Sequence, residues 1–235
     1  MARRFELPIS LLLSFNGGFV DTAGFLGLQG LFTAHVTGNF VTLGASLVLG
    51  TGGALTKLLA LPVFIITVAL ARLAGNQLTD RGKAALPKLL FAKVILLFLF
   101  FLLAVTLGPF AHGDAPGAML TGLVGVSAMA IQNAAQRVHL GTEPPSTLMT
   151  GTTTQIAIDG MDLLTGRQTM ATEKARARFR LLLRTLAGFA IGSLTAAGAY
   201  HLAGLWCLLI AVLVALYVAL IRANDPPPAP ETKPA

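Results

Sequence analysis

Two polar stations interrupt an otherwise apolar chain, and both carry residue types that bind or move small polar species. The first runs from Asp21 to His35 and the step Thr37-Gly38-Asn39. The second holds Gln132, Asn133 and Gln136, followed by Thr147-Leu-Met-Thr150-Gly151-Thr152-Thr-Thr-Gln155. A carboxylate midway along an apolar span is costly, and such groups face a bundle interior or a water-filled cavity. Asp21 is therefore a proton or cation site, a charge partner for a basic residue, or a structural carboxylate capping the free donors of a broken helix. His35, beside the break, titrates near neutral pH if wetted; buried among apolar residues it is a hydrogen-bonded packing residue.

In each Thr-Gly step the glycine lets the backbone break, and Thr or Asn can satisfy the freed groups. The unpaired donors of a helix start make an anion site. Two such ends converging from opposite faces would form a central solute site from Thr37, Gly38 and Asn39 with Thr150, Gly151 and Thr152. The competing account is close packing, in which small residues let helices approach and hydroxyls bond between them. Gln132 and Gln136 share a helical face, and with Asn133 they suit a cavity lining or bonds between helices. Asp159 and Asp162 share a face in the same way. Asp162 lies near a basic loop and fits an interfacial ion pair, whereas Asp159 is deeper and mirrors Asp21.

The elements that must position these residues are membrane helices. Only 11% of the 235 residues are charged and 54% are hydrophobic, against about 25% charged in a soluble domain. A spanning helix needs about 20 mostly apolar residues. The candidates are 7–28, 28–50, 53–75, 89–110, 118–137, 147–165, 179–203 and 205–222. Both polar stations fall inside this set: the first in 7–28 and 28–50, the second in 118–137 and 147–165, with the two Thr-Gly steps in 28–50 and 147–165. The net charge of +7 comes from clusters flanking apolar runs, which is the pattern of topology-setting charge rather than a nucleic-acid face. Fourteen Phe, one Trp and two Tyr make a thin aromatic belt, leaving Lys and Arg as the interface anchors. From Asp225 onward the chain lacks the apolar content to pack and reads as a disordered cytoplasmic tail, 225–235.

Arg3 and Arg4 place the start in the cytoplasm, and basic loops lie around 76–88 and 166–178, whereas 111–118 has neither Lys nor Arg. Both basic loops become cytoplasmic if 28–50 and 147–165 dip in and return. Only Lys57 is then left outside. The expected fold is an all-α polytopic transmembrane bundle over 1–224, with six full spans and two broken or re-entrant helices. An internal likeness supports two inverted repeats, about 6–110 and 118–222: Gly18-Phe-Val-Asp21-Thr-Ala resembles Ala130-Ile-Gln-Asn133-Ala-Ala, and Thr37-Gly38-Asn39 resembles Thr150-Gly151-Thr152. Inverted repeats meeting at broken helices are a transporter plan.

The block Gly17-Gly-Phe-Val-Asp21-Thr-Ala-Gly-Phe-Leu26, then Phe32-Thr-Ala-His-Val-Thr-Gly-Asn39, resembles the signature of the YoaK-type bacterial inner-membrane proteins, as do Gln132-Asn133 and Thr150-Gly151-Thr152. The resemblance covers nearly the whole chain. It implies a multi-spanning membrane protein of a family whose function is uncharacterised, points towards small solutes, and supplies no catalytic residues. His35 departs from the Asn expected before the Thr-Gly-Asn step.

No Walker loop, Cys-rich zinc spacing or His-Glu-x-x-His pair is present, nor a Gly-x-Ser-x-Gly elbow. No cofactor, metal or catalytic residue is assigned. A single Cys207 excludes an intrachain disulfide. The leading expectation is a small-solute transporter or channel of the bacterial inner membrane, both termini cytoplasmic. Its partners are the lipid bilayer and a small polar or ionic solute, with no nucleic acid; a homo-oligomer stays open. Asp21 and His35 would tune charge or couple protons. An intramembrane enzyme using Asp21, His35 and Asp159, or a non-transporting structural protein, are the alternatives.

Overall fold

The computed structural model describes residues 8–167 and 171–225. Among these are helices and turns and no strand, as expected where water cannot satisfy backbone groups and each segment must bond internally. In chain order they are α1 (Ile9–Gly27), α2 (Gly38–Leu49), α3 (Ala54–Asp80), α4 (Ala85–Leu107), α5 (Pro116–His139), α6 (Met149–Thr165), α7 (Thr172–Ala203) and α8 (Leu208–Ile221). A 3₁₀ turn, Gly204–Cys207, separates the last two.

α1, α3, α4, α5 and the 50-residue run Thr172–Ile221 are long and apolar enough to cross a membrane. Unbroken, that run would extend about 75 Å, more than twice the hydrocarbon thickness. Gly204, at φ 55° and ψ −140°, adopts a backbone conformation open essentially to glycine alone and divides it. The 3₁₀ turn and α8 then reach about 29 Å, one bilayer core. Large apolar side chains stand exposed on the outside of the bundle: Ile65, Ile66 and Leu70 on α3, Ile95 and Phe98 on α4, Leu213 and Leu220 on α8. Such a surface is matched to hydrocarbon. The fold is a polytopic transmembrane helix bundle.

α2 is about 18 Å long and α6 about 26 Å, so each falls short of the core thickness of about 30 Å. The two expected breaks are therefore real interruptions. α2 packs on α3, and α6 on α7. α1 and α5 are the most enclosed spans, 67% buried against 22% for α3, and so form the centre. α1 lies against α7 and α8; α5 lies against α3 and α4. The α1–α7 contact is backbone to backbone. A Cβ at Gly192 would stand 2.1 Å from the Phe15 carbonyl oxygen, and one at Gly18 would stand 2.2 Å from that of Phe189.

The loop expected around 76–88 contracts to the turn 81–84. α7 starts at Thr172, inside the segment expected to be a basic loop, so Lys174, Arg176 and Arg178 ride on its first turns. Good helix formers in that stretch, Ala and Arg, explain the early start. Residues 1–7, with Arg3 and Arg4, and residues 226–235 of the expected tail lie outside the described residues.

Candidate functional site

α1 ends because Gln29 and Gly30 take positive φ, 55° and 79°, which turns the chain back along the helix it has just left. The returning residues then lie beside Asp21. Its Oδ1 accepts the backbone N–H of Thr33 at 2.8 Å, of Ala34 at 2.7 Å and of His35 at 3.4 Å. Its Oδ2 stands 2.8 Å from His35 Nδ1. An ionised carboxylate only accepts, so Nδ1 carries the proton in that contact. Asn39 fastens the far end of the loop, donating to the Phe32 carbonyl at 2.8 Å and accepting the Phe32 N–H at 2.8 Å. Thr33 lodges between α1 and α5, close to where side chains at Gly24 and Gly125 would be. Asp21 thus caps broken-chain donors and also holds a histidine.

That histidine lines a cavity of about 430 Å³ with Asp21, Phe25, Phe32, Gly38, Phe189 and Ser193. The rings form a continuous wall: Phe25 to Phe32 at 4.9 Å, Phe32 to His35 at 6.4 Å, His35 to Phe189 at 5.4 Å between centroids. His35 keeps its side chain 33% accessible while that of Asp21 is 5%, so the imidazole is the face presented to a solute. With Nδ1 engaged, Nε2 is the free nitrogen.

The second break is built on amides. Gln136 accepts Ser146 N–H at 2.8 Å and donates to the Pro144 carbonyl. Thr147 Oγ1 donates to Asn133 Oδ1 at 2.6 Å, and Gln132 Nε2 donates to Ser146 Oγ at 2.9 Å. The register that aligns Asp21 with Asn133 also aligns His35 with Thr147, so the same pairing recurs, ionisable in one half and neutral in the other. The short helices are held alike. Lys57 of α3 donates to Ser46 of α2 at 2.6 Å. Arg178 of α7 grips Asp159 of α6 through Nε at 2.8 Å and Nη2 at 2.5 Å. Ser46 and Asp159 correspond in the register of the two Thr-Gly steps.

A family description, DUF1275, protein of unknown function, matches residues 9–221. The chain belongs to DUF1275. It is also 32% identical over 180 residues, 75% of each chain, to the UPF0700 transmembrane protein YoaK of Bacillus subtilis (strain 168). The YoaK-type resemblance is therefore a family relationship, and the protein is a membrane protein in contact with the lipid bilayer. No solved structure matches the chain.

The DUF1275 bundle does not bring the two Thr-Gly steps together. α2 and α6 make no contact with each other, because each is clasped to the long helix that follows it. The first step has no free amide left for the expected anion site. At α2 the N–H groups of Gly38, Asn39 and Phe40 donate to His35, Val36 and Thr37 carbonyls. At α6 the hydroxyls of Thr152, Thr153 and Thr154 bond carbonyls one turn back, while Thr150 and Gly151 face outward or stand free of neighbours. Asp159, weighed as an acid–base partner of Asp21 and His35, is instead bound to Arg178 and Gln155.

Sequence reasoning missed Lys93. Lying just beyond the basic loop around 76–88, it is 1% exposed, and its Nζ donates to Asn16 Oδ1 at 2.7 Å and Gln132 Oε1 at 2.5 Å. Asn16 goes on to the Ala211 carbonyl of α8 at 2.7 Å, and Gln132 to the Leu13 carbonyl at 3.0 Å. One ammonium therefore ties α1, α4, α5 and α8, without a carboxylate in ion-pair range among the described residues. Its phase gave little signal: Leu86, Leu90, Leu97 and Phe101 bury the same stripe of α4, but the other faces of that helix are apolar too. Lys57, read as an outer loop charge, is likewise buried, at 4%.

Proposed function

We propose that this DUF1275 protein is a small-solute transporter or channel of the bacterial inner membrane, with the Asp21–His35 pair as its binding and proton-exchanging centre. The observation that carries the reading is that pair, at 2.8 Å, lining a cavity of about 430 Å³ in a broken membrane segment. Ionisable groups within a membrane are costly, and they mark solute and proton pathways. Asp21 fixes the imidazole as a carboxylate fixes a metal-bound histidine elsewhere, which leaves Nε2 for a solute or proton.

The recurring pairings at the two breaks support inverted repeats of the transporter plan. With α2 and α6 re-entrant, the turn with Arg81 and Lys83 and the stretch with Arg167, Lys174 and Arg176 share the cytoplasmic side with both termini. Gly38 remains in the site; the amide set Gln132, Asn133 and Gln136 forms the corresponding station of the second half.

Flux in proteoliposomes tests this reading, with an entrapped pH dye and a panel of small cations, anions and neutral solutes. His35→Gln is expected to lower the flux at least about tenfold while the variant still elutes as a folded species. Thr150→Ala is expected to leave it unchanged. Full flux in His35→Gln would remove the assignment.

A further inference from the structure

We infer that the Asp21–His35 cavity takes a monovalent organic ammonium ion with apolar substituents, and that this cation exchanges for a proton on His35. The inference rests on the transport reading for its role but on the cavity alone for its ligand. Four rings, Phe25, Phe32, His35 and Phe189, wall the space, and three of the intervals between neighbouring rings are 4.9 to 6.4 Å. Aromatic faces attract cations within about 6 Å, and rings grouped around a quaternary ammonium are the recurrent recognition device. Asp21 adds one negative charge behind the imidazole. An anion would meet that carboxylate, and the donors near it are already spent on Asp21. A small hydrated ion would find few polar groups on the walls.

The exchange follows from charge. With His35 neutral, the pair carries one negative charge, and a bound monocation balances it. With His35 protonated, the pair is already neutral, and the cation would add an unbalanced charge in a low-dielectric site. The hydrogen bond from Nδ1 to Asp21 persists in both states, so the proton enters and leaves at Nε2. Among the described residues no other ionisable group competes there. α2 has none, and α5 has none before Arg137. On α7, Arg184 is exposed, and Tyr200 turns to the Leu26 carbonyl at 3.5 Å. Lys57 of α3 is taken up by Ser46.

The test is calorimetric titration of the full chain in detergent with choline and with its neutral carbon isostere, 3,3-dimethylbutan-1-ol. An unperturbed imidazole changes charge between about pH 5 and about pH 8, so both limits are measured. Choline should bind at least about tenfold more tightly at the higher pH, releasing a proton between the two. Phe189→Ala should weaken it at both, and His35→Gln should abolish the pH dependence while retaining binding. Equal affinity for the neutral alcohol, or indifference to Phe189→Ala, would show a merely apolar hollow suited to a lipid chain and overturn the inference. Choline binding of the expected pattern with no flux in proteoliposomes would uphold the ligand class and sink the transport reading. A His35-dependent flux of another solute without choline binding would do the reverse.

Discussion

Lys93 and Gln132 meet at the centre of the bundle, and the cost of losing their contact depends on which partner is removed. Exchanging the ammonium for an apolar side chain of similar length discards its desolvation cost but leaves two buried neutral acceptors, Asn16 and Gln132, without this donor. Removing the acceptor leaves the charge buried and poorly solvated. Gln132→Leu should therefore cost about 3–5 kcal/mol and Lys93→Met about 1–3 kcal/mol, read as thermal midpoints in detergent. The double variant should recover part of the Gln132→Leu loss. The reverse order would mean that Nζ is not held as described. At this scale Asp21, His35 and Asn39 were legible as residues with chemistry to do, since polar groups in a hydrocarbon-bound segment need a reason. Lys93 was not. In a soluble helix a lysine in phase with leucines stands out, but α4 is apolar on all sides, and a basic residue near its end looks like a topology signal.

Helix ends and helix contacts carry their own consequences. Asp114, between α4 and α5, caps α3 from outside it, accepting Thr56 N–H at 2.9 Å and Thr56 Oγ1 at 3.0 Å. Burial raises its pKa, but the bonds from Thr56, Leu55 and Gly53 outweigh that and hold the carboxyl below its ordinary value. Asp114→Ala should cost about 1 kcal/mol. A lowered folded-state value means that the ionic part of this stabilisation is complete above about pH 4 and is lost as pH falls further, so the gap to wild type should narrow in acid. A gap that widened there would contradict the cap. For α1 and α7, the 2.1 Å approach at Gly192 leaves a methyl group nowhere to go. Gly192→Ala should destabilise by about 1–3 kcal/mol. Gly198→Ala, on the same helix with nothing near it, should be neutral or slightly stabilising. Similar losses at the two glycines would argue against the close α1–α7 contact. The existence of these helices was plain from apolar runs. Their ends were less so, because the basic stretch before Phe179 favours helix as readily as it marks a cytoplasmic loop.

For the molecule as a whole, the two short helices are the parts with fewest neighbours, and each is fastened by one basic residue, Lys57 or Arg178. A re-entrant α2 and α6 put the turn at 81–84 and the start of α7 on one side, and the α4–α5 loop on the other. The single cysteine, Cys207, is buried, so introduced cysteines can be read cleanly. Cysteines at Lys83 and Lys174 should react with an impermeant maleimide only after the inner membrane is opened, and one at His112 should react in intact spheroplasts. Lys83 and Lys174 labelling from opposite sides would mean that one short helix crosses completely.

Solvent identity and the position of both breaks were written in the chain, because the hydrophobic cost of each segment and the freedom of Gly are local properties. Partnership was not. Which donors Asp21 would satisfy, that Asn39 would lock Phe32, and that Lys93 would turn inward all depend on how far Gln29 and Gly30 fold the chain back and on which helices lie at the centre. The two Thr-Gly steps look like one site when compared by spacing alone. They belong to separate places because each short helix binds its sequence neighbour more closely than its counterpart, and only the assembled bundle sets that preference.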